Sequence, residues 1–272
     1  MGAIDRNRVK LSFGRQAHDY DKHAEIQKNV IGRFPEILLG GVACPDRILD
    51  MGTGTGMLLE RISGIFPDAR LYGIDLALDM TRVARRNVPD GRMADFLAAD
   101  AELLPFADGA FGLVVSTSTF QWMDMLGPAF EEAFRVLEDG GTFCFALFGE
   151  STLHELKSSY RRALASFGRP GEDRTHTFHT VRQVGESLAR AGFVDCSATS
   201  EKYLEHHDNV PALLRSIKNI GAGSAARVPL PGLAGRRVLQ GMIDSYVSLY
   251  RSEGKIPATY EVIYARGVKR SC

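Results

Sequence analysis

The chain has 272 residues, with 33 Lys and Arg balanced by 33 Asp and Glu, and it is 44% hydrophobic and 24% charged. These totals describe an ordinary folded chain with ample length for a core, and a formal charge of zero excludes wholesale attraction to nucleic acid or an anionic membrane. No apolar run reaches the roughly 20 residues of a membrane helix, and Met1 to Lys10 lack an apolar secretory core. Cys44, Cys144, Cys196 and Cys272 form no C-x-x-C pair, and the histidines show no H-x-x-x-H spacing backed by acids. A cytoplasmic protein without disulfides or a metal is therefore predicted.

Residues 1–40 read as helical, because Phe13, Ala17 and Tyr20 recur at i, i+4, i+7, and Ile26, Val30, Phe34 and Ile37-Leu38 continue a face that Gly40-Gly41 ends. Strands then alternate with helices: strands at 47–51, 69–75, 94–99, 111–116 and 142–148, helices at 56–65, 78–88 and 127–137. Pro67-Asp68 and Pro89-Asp90-Gly91 punctuate them. Alternation with short connections predicts a parallel, doubly wound sheet. Beyond residue 150 the rhythm changes, with helices at 152–167 and 180–191, a strand at 193–203, helices at 210–220 and 233–250 around the breaker run Val228-Pro229-Leu230-Pro231-Gly232, and a β-rich close at 259–265. No repeat or low-complexity linker divides the chain, so 1–272 reads as a single domain. Its parts are an N-terminal helical lid (1–44), a cofactor-binding core (45–150) and C-terminal strands with a helical, acceptor-binding insertion (151–272).

The chemistry concentrates in Ile48-Leu49-Asp50-Met51-Gly52-Thr53-Gly54-Thr55-Gly56, a strand running into a Gly-rich turn and a helix N-terminus. Such a turn cradles a nucleotide cofactor with its free N–H groups. Its spacing is G-x-G-x-G, not the G-x-G-x-x-G of dinucleotide binders. Asp50 directly before it would repel a pyrophosphate but suits a cation. Asp75 closes the second strand, where an acid accepts from ribose hydroxyls. Asp100 follows the third, placed to accept from an adenine amino group, although Asp100 and Glu102 read equally well as a turn or helix cap.

Three acids at the ends of three successive strands resemble the class I S-adenosylmethionine-dependent methyltransferases over residues 45–150. The family's D-x-G-C-G-T-G stands here as Asp50-Met51-Gly52-Thr53-Gly54-Thr55-Gly56, and its R-V-L-x-x-G-G as Arg135-Val136-Leu137 with Gly140-Gly141. Its F-D-x-V stands as Phe111-Gly112-Leu113-Val114, without the acid. The resemblance implies a Rossmann-like, seven-stranded, mostly parallel sheet. It also implies S-adenosylmethionine as co-substrate, held by Asp50, Gly52, Gly54, Gly56, Asp75, Leu76, Asp100, Ala101, Glu102 and Ser116, with no metal.

The flanks are more specific. Phe13-Gly14-Arg15-x-Ala17-x-x-Tyr20-Asp21-x-x-Ala24-x-x-Gln27, then Phe120-Gln121-Trp122, Thr152 to Leu156, Leu214 to Ala222 and Pro257 to Tyr264 together resemble the malonyl-acyl-carrier-protein O-methyltransferases of biotin synthesis (BioC). Thr117 departs from that family's usual Asn. The implied reaction methylates the free carboxylate of a malonyl thioester on a carrier protein or on CoA. Tyr20 is expected to cover the cofactor, Gln121 and Trp122 to wall the acceptor, and Arg215 or Lys218 to hold its carboxylate or thioester. Arg161-Arg162, Arg169, Arg174 and Arg236-Arg237 are the basic clusters available for an acidic carrier protein. The expected molecule is a monomer that binds neither membrane nor nucleic acid. Competing readings are a methyltransferase for another small carboxylate or a quinone precursor, a non-catalytic S-adenosylmethionine-binding protein, and a dinucleotide oxidoreductase.

Overall fold

A computed structural model describes residues 4–88, 93–173, 175–222 and 232–270. The turn Pro89-Asp90-Gly91, the run Val228 to Pro231 and Arg174 lie outside the described residues. The N-terminal helices are α1 (Arg6–Gln16), α2 (Tyr20–His23) and α3 (Glu25–Leu38). There follow β1 (Arg47–Met51), α4 (Met57–Ser63), β2 (Arg70–Asp75), α5 (Leu78–Asn87), β3 (Ala94–Ala98) and β4 (Phe111–Thr117). A 3₁₀ turn (Phe120–Trp122), α6 (Gly127–Val136), β5 (Leu137–Phe148) and α7 (His154–Ser166) continue the chain. It ends with α8 (Val181–Arg190), β6 (Val194–His207), α9 (Val210–Asn219), α10 (Gly232–Tyr250) and β7 (Ile256–Val268).

The sheet order is β3-β2-β1-β4-β5-β7-β6. Strands β1 to β5 pair in parallel, and β7 runs antiparallel to both neighbours, β5 and β6. Side-chain parity sorts each strand between two cores, as period 2 requires. Ile48, Leu113, Val115, Cys144 and Ala146 enter one core with α3, α4, α7 and α9. Leu49, Met51, Val114, Phe143 and Phe145 enter the other with α6 and α8. With both faces covered, the central strands are continuous apolar runs rather than alternating ones.

The N-terminal segment differs from the single continuous helix its spacing predicts. Helix α1 stops at Gln16, and Ala24 leaves helical geometry with ψ 46. The cause is a small core of its own: Ala17, Tyr20 and Ala24 turn inward onto Ala77 and Met80 at the start of α5. None of the residues of α1 is fully buried, so it lies across the strand ends rather than within the core.

Strand order reverses between β1 and β4, and the crevice beyond the carboxyl ends of these strands is where open α/β sheets bind ligands. The Phe120–Trp122 turn overhangs it. Phe120 is completely buried and packs edge-on against Phe130, Phe143 and Phe145, with centroids 5.3, 5.8 and 5.4 Å away. Phe120→Ala should therefore cost about 3–5 kcal/mol in denaturant unfolding, and it should loosen the turn that presents Gln121 and Trp122.

Candidate active site

The β1–α4 loop is built by a few backbone bonds. The N–H groups of Gly52 and Thr53 both donate to Ile74 O, at 2.8 and 2.7 Å, which lashes the loop to the end of β2. Gly52 has φ +77, and a Cβ there would meet Thr119 Oγ1 at 2.1 Å. Gly56 has φ +87 and touches α5, where a Cβ would meet Ala84 Cβ at 3.1 Å. A Cβ at Gly54 would meet no protein atom within 4 Å, so that face of its backbone fronts open space. Gly56 thus serves chain packing, Gly54 serves the cavity, and Gly52 serves both.

That cavity, about 990 Å³ counting the space at its mouth that is open to solvent, extends from Arg6, Val9 and Phe13 of α1 across Gly52–Thr55 and Asp75–Ala77 to Trp122. Asp75 is fixed inside it by two backbone donors, Gly54 N (3.0 Å) to Oδ2 and Ala77 N (2.8 Å) to Oδ1. Burial nevertheless raises its carboxyl to about 6, against the pull of those bonds. Leu76 and Ala101 also line the cavity.

Asp50 lies beneath the loop, 1% exposed, and neither carboxylate oxygen has a hydrogen-bond partner among the described residues. Burial pushes its carboxyl up to about 7, and Asp75 adds to the rise. The Thr53 hydroxyl is close enough to lower it somewhat but does not complete a hydrogen bond. An orphaned buried carboxyl under a Gly-lined cavity fits a ligand carrying an ammonium and a sulfonium, and Asp75 beside it fits a ribose diol.

Two expected contacts take a different form. Asp100 and Glu102 do not line the cavity: both accept from Arg6, and Asp100 Oδ1 also accepts from Glu102 N at 2.9 Å. The turn-forming role of Asp100 is thus realised, and Arg6 is the side chain that reaches the cavity. Ser116 is fully buried and donates to Met51 O at 2.6 Å, tying β4 to β1 behind the cavity wall. A second tie holds the N-terminal segment, where Thr55 Oγ1 donates to Asp21 Oδ1 at 2.6 Å.

A second, smaller cavity, about 450 Å³ on the same measure, adjoins the first. Phe13, Tyr20, Gln27, Ser118 and Trp122 line both, so the junction is formed by α1–α3 on one side and the segment after β4 on the other. Gln121 lines only the second; its amide donates to Ser118 O at 2.6 Å, and its Oε1 is unpartnered. Trp122 lies between Phe13 and His176, each 5.5 Å away between ring centroids, with Nε1 buried and unpartnered. Ile217 of α9 also lines this cavity, whereas Arg215 and Lys218 are exposed and line neither. The residues missed by sequence reasoning are Arg6, Ser118 and Thr119. Gln27 stood within a motif but had no role.

Among the described residues no group of three His, Cys, Asp or Glu could hold a metal ion, and no helix is long and apolar enough to cross a membrane.

Residues 49–145 match the model of a methyltransferase domain. The malonyl-acyl-carrier-protein O-methyltransferase of Geobacter sulfurreducens is 50% identical over 97% of this chain and 99% of its own length. The protein of the same name from Laribacter hongkongensis is 34% identical over 96% of this chain and 88% of its own. Among solved structures, YcgJ of Bacillus subtilis matches with a TM-score of 0.59 and 17% identity over 90% of this chain and 100% of that one, a likeness of fold alone. The sheet, the paired cavities and a full-length relative at 50% identity together place the chain in the malonyl-acyl-carrier-protein O-methyltransferase family.

Proposed function

We propose that this chain methylates the free carboxylate of a malonyl thioester borne by an acyl carrier protein, giving the methyl ester that enters pimeloyl and biotin synthesis. S-adenosylmethionine supplies the methyl group. The observation carrying the reading is the pair of joined cavities: the first contains Asp75 over the buried Asp50, and the second has no charged side chain among its described lining residues. The chain works in the cytoplasm as a monomer.

The chemistry needs little from the protein beyond placement. A carboxylate is ionised at neutral pH, so no general base is required. Its oxygen forms a C–O bond as the methyl carbon leaves sulfur with the electron pair on sulfur, and no proton moves. Attack merges a negative and a positive charge, which a dry cavity favours over separated ions. Phe13, Trp122 and Ile217 help to keep the junction dry, and Tyr20 covers it. Burial, with Asp21 and Asp75 nearby, raises the Tyr20 phenol far above its ordinary value, so it stays a neutral donor throughout the working pH range. Arg215 and Lys218, exposed beside Ile217, meet the carrier-bound end of the substrate rather than its carboxylate. Arg161 and Arg169 are engaged with Asp173 and Glu172, and the exposed Arg236 and Arg237 remain available to the carrier protein.

Purified protein incubated with labelled S-adenosylmethionine and malonyl-carrier protein should add one methyl by mass. Methylation of a free short-chain acid, with the carrier-bound substrate untouched, would overturn the reading.

Asp50 and Asp75 have folded-state pKa values raised above the ordinary 3.8. Each therefore favours the protonated empty site, and a ligand ammonium favours the ionised one. Binding must release protons as the pKa falls, most strongly between the ordinary 3.8 and about pH 6, where both empty-site carboxyls are still protonated, and the release fades above about pH 7. Calorimetry near pH 7 in buffers of different ionisation enthalpy should register release of about half a proton from Asp50, and Asp50→Asn should remove it.

Arg6 is held to Asp100 and Glu102 at about one-third exposure, in the range where ion pairs contribute modestly and salt weakens them. Arg6→Ala should raise the cofactor dissociation rate about 2–5-fold, and that rate should depend less on salt in the variant than in the parent protein.

A further inference from the structure

Gln27 has a place that no other polar residue of α3 shares. The buried face of that helix consists of Ile26, Val30, Ile31, Phe34 and Leu38, with Gln27 as its only polar member. Gln27 is 6% exposed, and its side chain makes no hydrogen bond among the described residues. What remains exposed of it faces the junction, since it lines both cavities. That remnant includes the amide, which opens on the cavities without a protein partner, so a ligand there can complete its hydrogen bonds.

The other polar groups of the acceptor cavity are largely engaged. The Thr152 hydroxyl donates to Glu261 O and accepts from Glu261 N. The Gln121 amide nitrogen is taken up by Ser118 O, and Tyr260 faces Glu205. Trp122 Nε1 is shielded within the wall. The unengaged donors with access to the junction are Tyr20, Ser118 and Gln27; the Trp122 indole N–H is also unpartnered among the described residues but is sealed in the wall. Ser118 is half-buried, so water can serve its hydroxyl, whereas Gln27 is nearly closed off.

We propose that Gln27 binds the acceptor: its amide N–H donates to the carboxylate oxygen that does not attack, leaving the other oxygen directed toward the methyl group. This rests on the reading that the acceptor is a carboxylate. A neutral donor suits the reaction better than a cation would. The carboxylate loses its charge on becoming an ester, so a salt bridge would stabilise the ground state more than the transition state and slow the step. A hydrogen bond to the spectator oxygen survives, because that oxygen becomes the ester carbonyl and still accepts. Gln27 thereby selects a planar two-oxygen acceptor and fixes which oxygen reacts.

The test measures acceptor kinetics on malonyl-carrier protein and cofactor affinity by calorimetry. Gln27→Ala should lower kcat/KM for the acceptor about 10–100-fold, the range for a lost hydrogen bond to a charged group, while cofactor Kd stays within about twofold. Gln27→Glu keeps the shape and carries the test if the alanine variant fails to fold. Its carboxylate should repel the acceptor at pH 8, and activity should recover as pH falls and the new carboxyl protonates into a donor. Unchanged acceptor kinetics, a loss that appears in cofactor Kd instead, or a Gln27→Glu profile parallel to the parent would each overturn the proposal. A parent protein inactive on the malonyl thioester would remove the functional reading, and this inference with it. An active parent indifferent to changes at Gln27 would remove the inference alone.

Discussion

Two carboxyl groups at the ends of adjacent parallel strands set the character of this molecule. The register that pairs Asp50 with Gly73 and Met51 with Ile74 brings Asp50 and Asp75 to the same edge of the sheet, both in a low-dielectric setting. Asp75 solves its desolvation with the backbone N–H groups of Gly54 and Ala77, and those bonds hold the glycine loop open toward the cavity. Asp50 has no such solution. Its two orphaned oxygens are the strongest electrostatic demand among the described residues of the site, and a cation above the loop is the simplest way to meet it. The left-handed glycines, the lash to Ile74 O and the strut from Ser116 all serve to keep that geometry from relaxing.

The first five strands were legible because their signal is local. Short β-branched and apolar runs, broken by Gly, Pro and Asp, alternate with helical spacing, and each boundary carries its own turn chemistry. The antiparallel position of β7 between β5 and β6 was not legible in the same way. It depends on pairing Phe148 with Val262 and Tyr203 with Tyr260, contacts across long stretches of chain that no window of sequence contains. The site divides along the same line. Asp75, Leu76 and the glycines follow from motif position. Arg6 does not, because its partner Asp100 is 94 residues away, and nothing in the local pattern of α1 distinguishes it from a solvated arginine. Ser116 and Asp100 stand at the expected places in the chain yet spend their side chains on the scaffold. Arg215 and Lys218 show the complementary limit. The sequence places them near the acceptor, but helical geometry turns Ile217 inward and leaves both cations outside.

The two cavities divide the electrostatic work. The larger one is lined by Asp75, with Asp50 buried beneath its loop, and by Arg6 and Lys10, a mixed-charge lining that suits a zwitterionic donor. The smaller one excludes charge among its described lining residues and offers aromatic walls with a few neutral donors. A charged acceptor would find that cavity unattractive on its own, because transfer of a carboxylate from water into such surroundings is unfavourable without compensation. Compensation would come from a filled donor site, because a cation bound in the larger cavity would adjoin the junction that Tyr20, Gln27 and Ser118 line. The order follows from this physics: the donor cation makes the neutral cavity hospitable to the acceptor anion. Helix α1 borders both cavities yet buries no residue completely; it is held by an ion-paired arginine at one end and by aromatic edges and the Ser12 hydroxyl bond to Gly221 O at the other. Contacts of that kind seat the helix against the strand ends without merging it into the core.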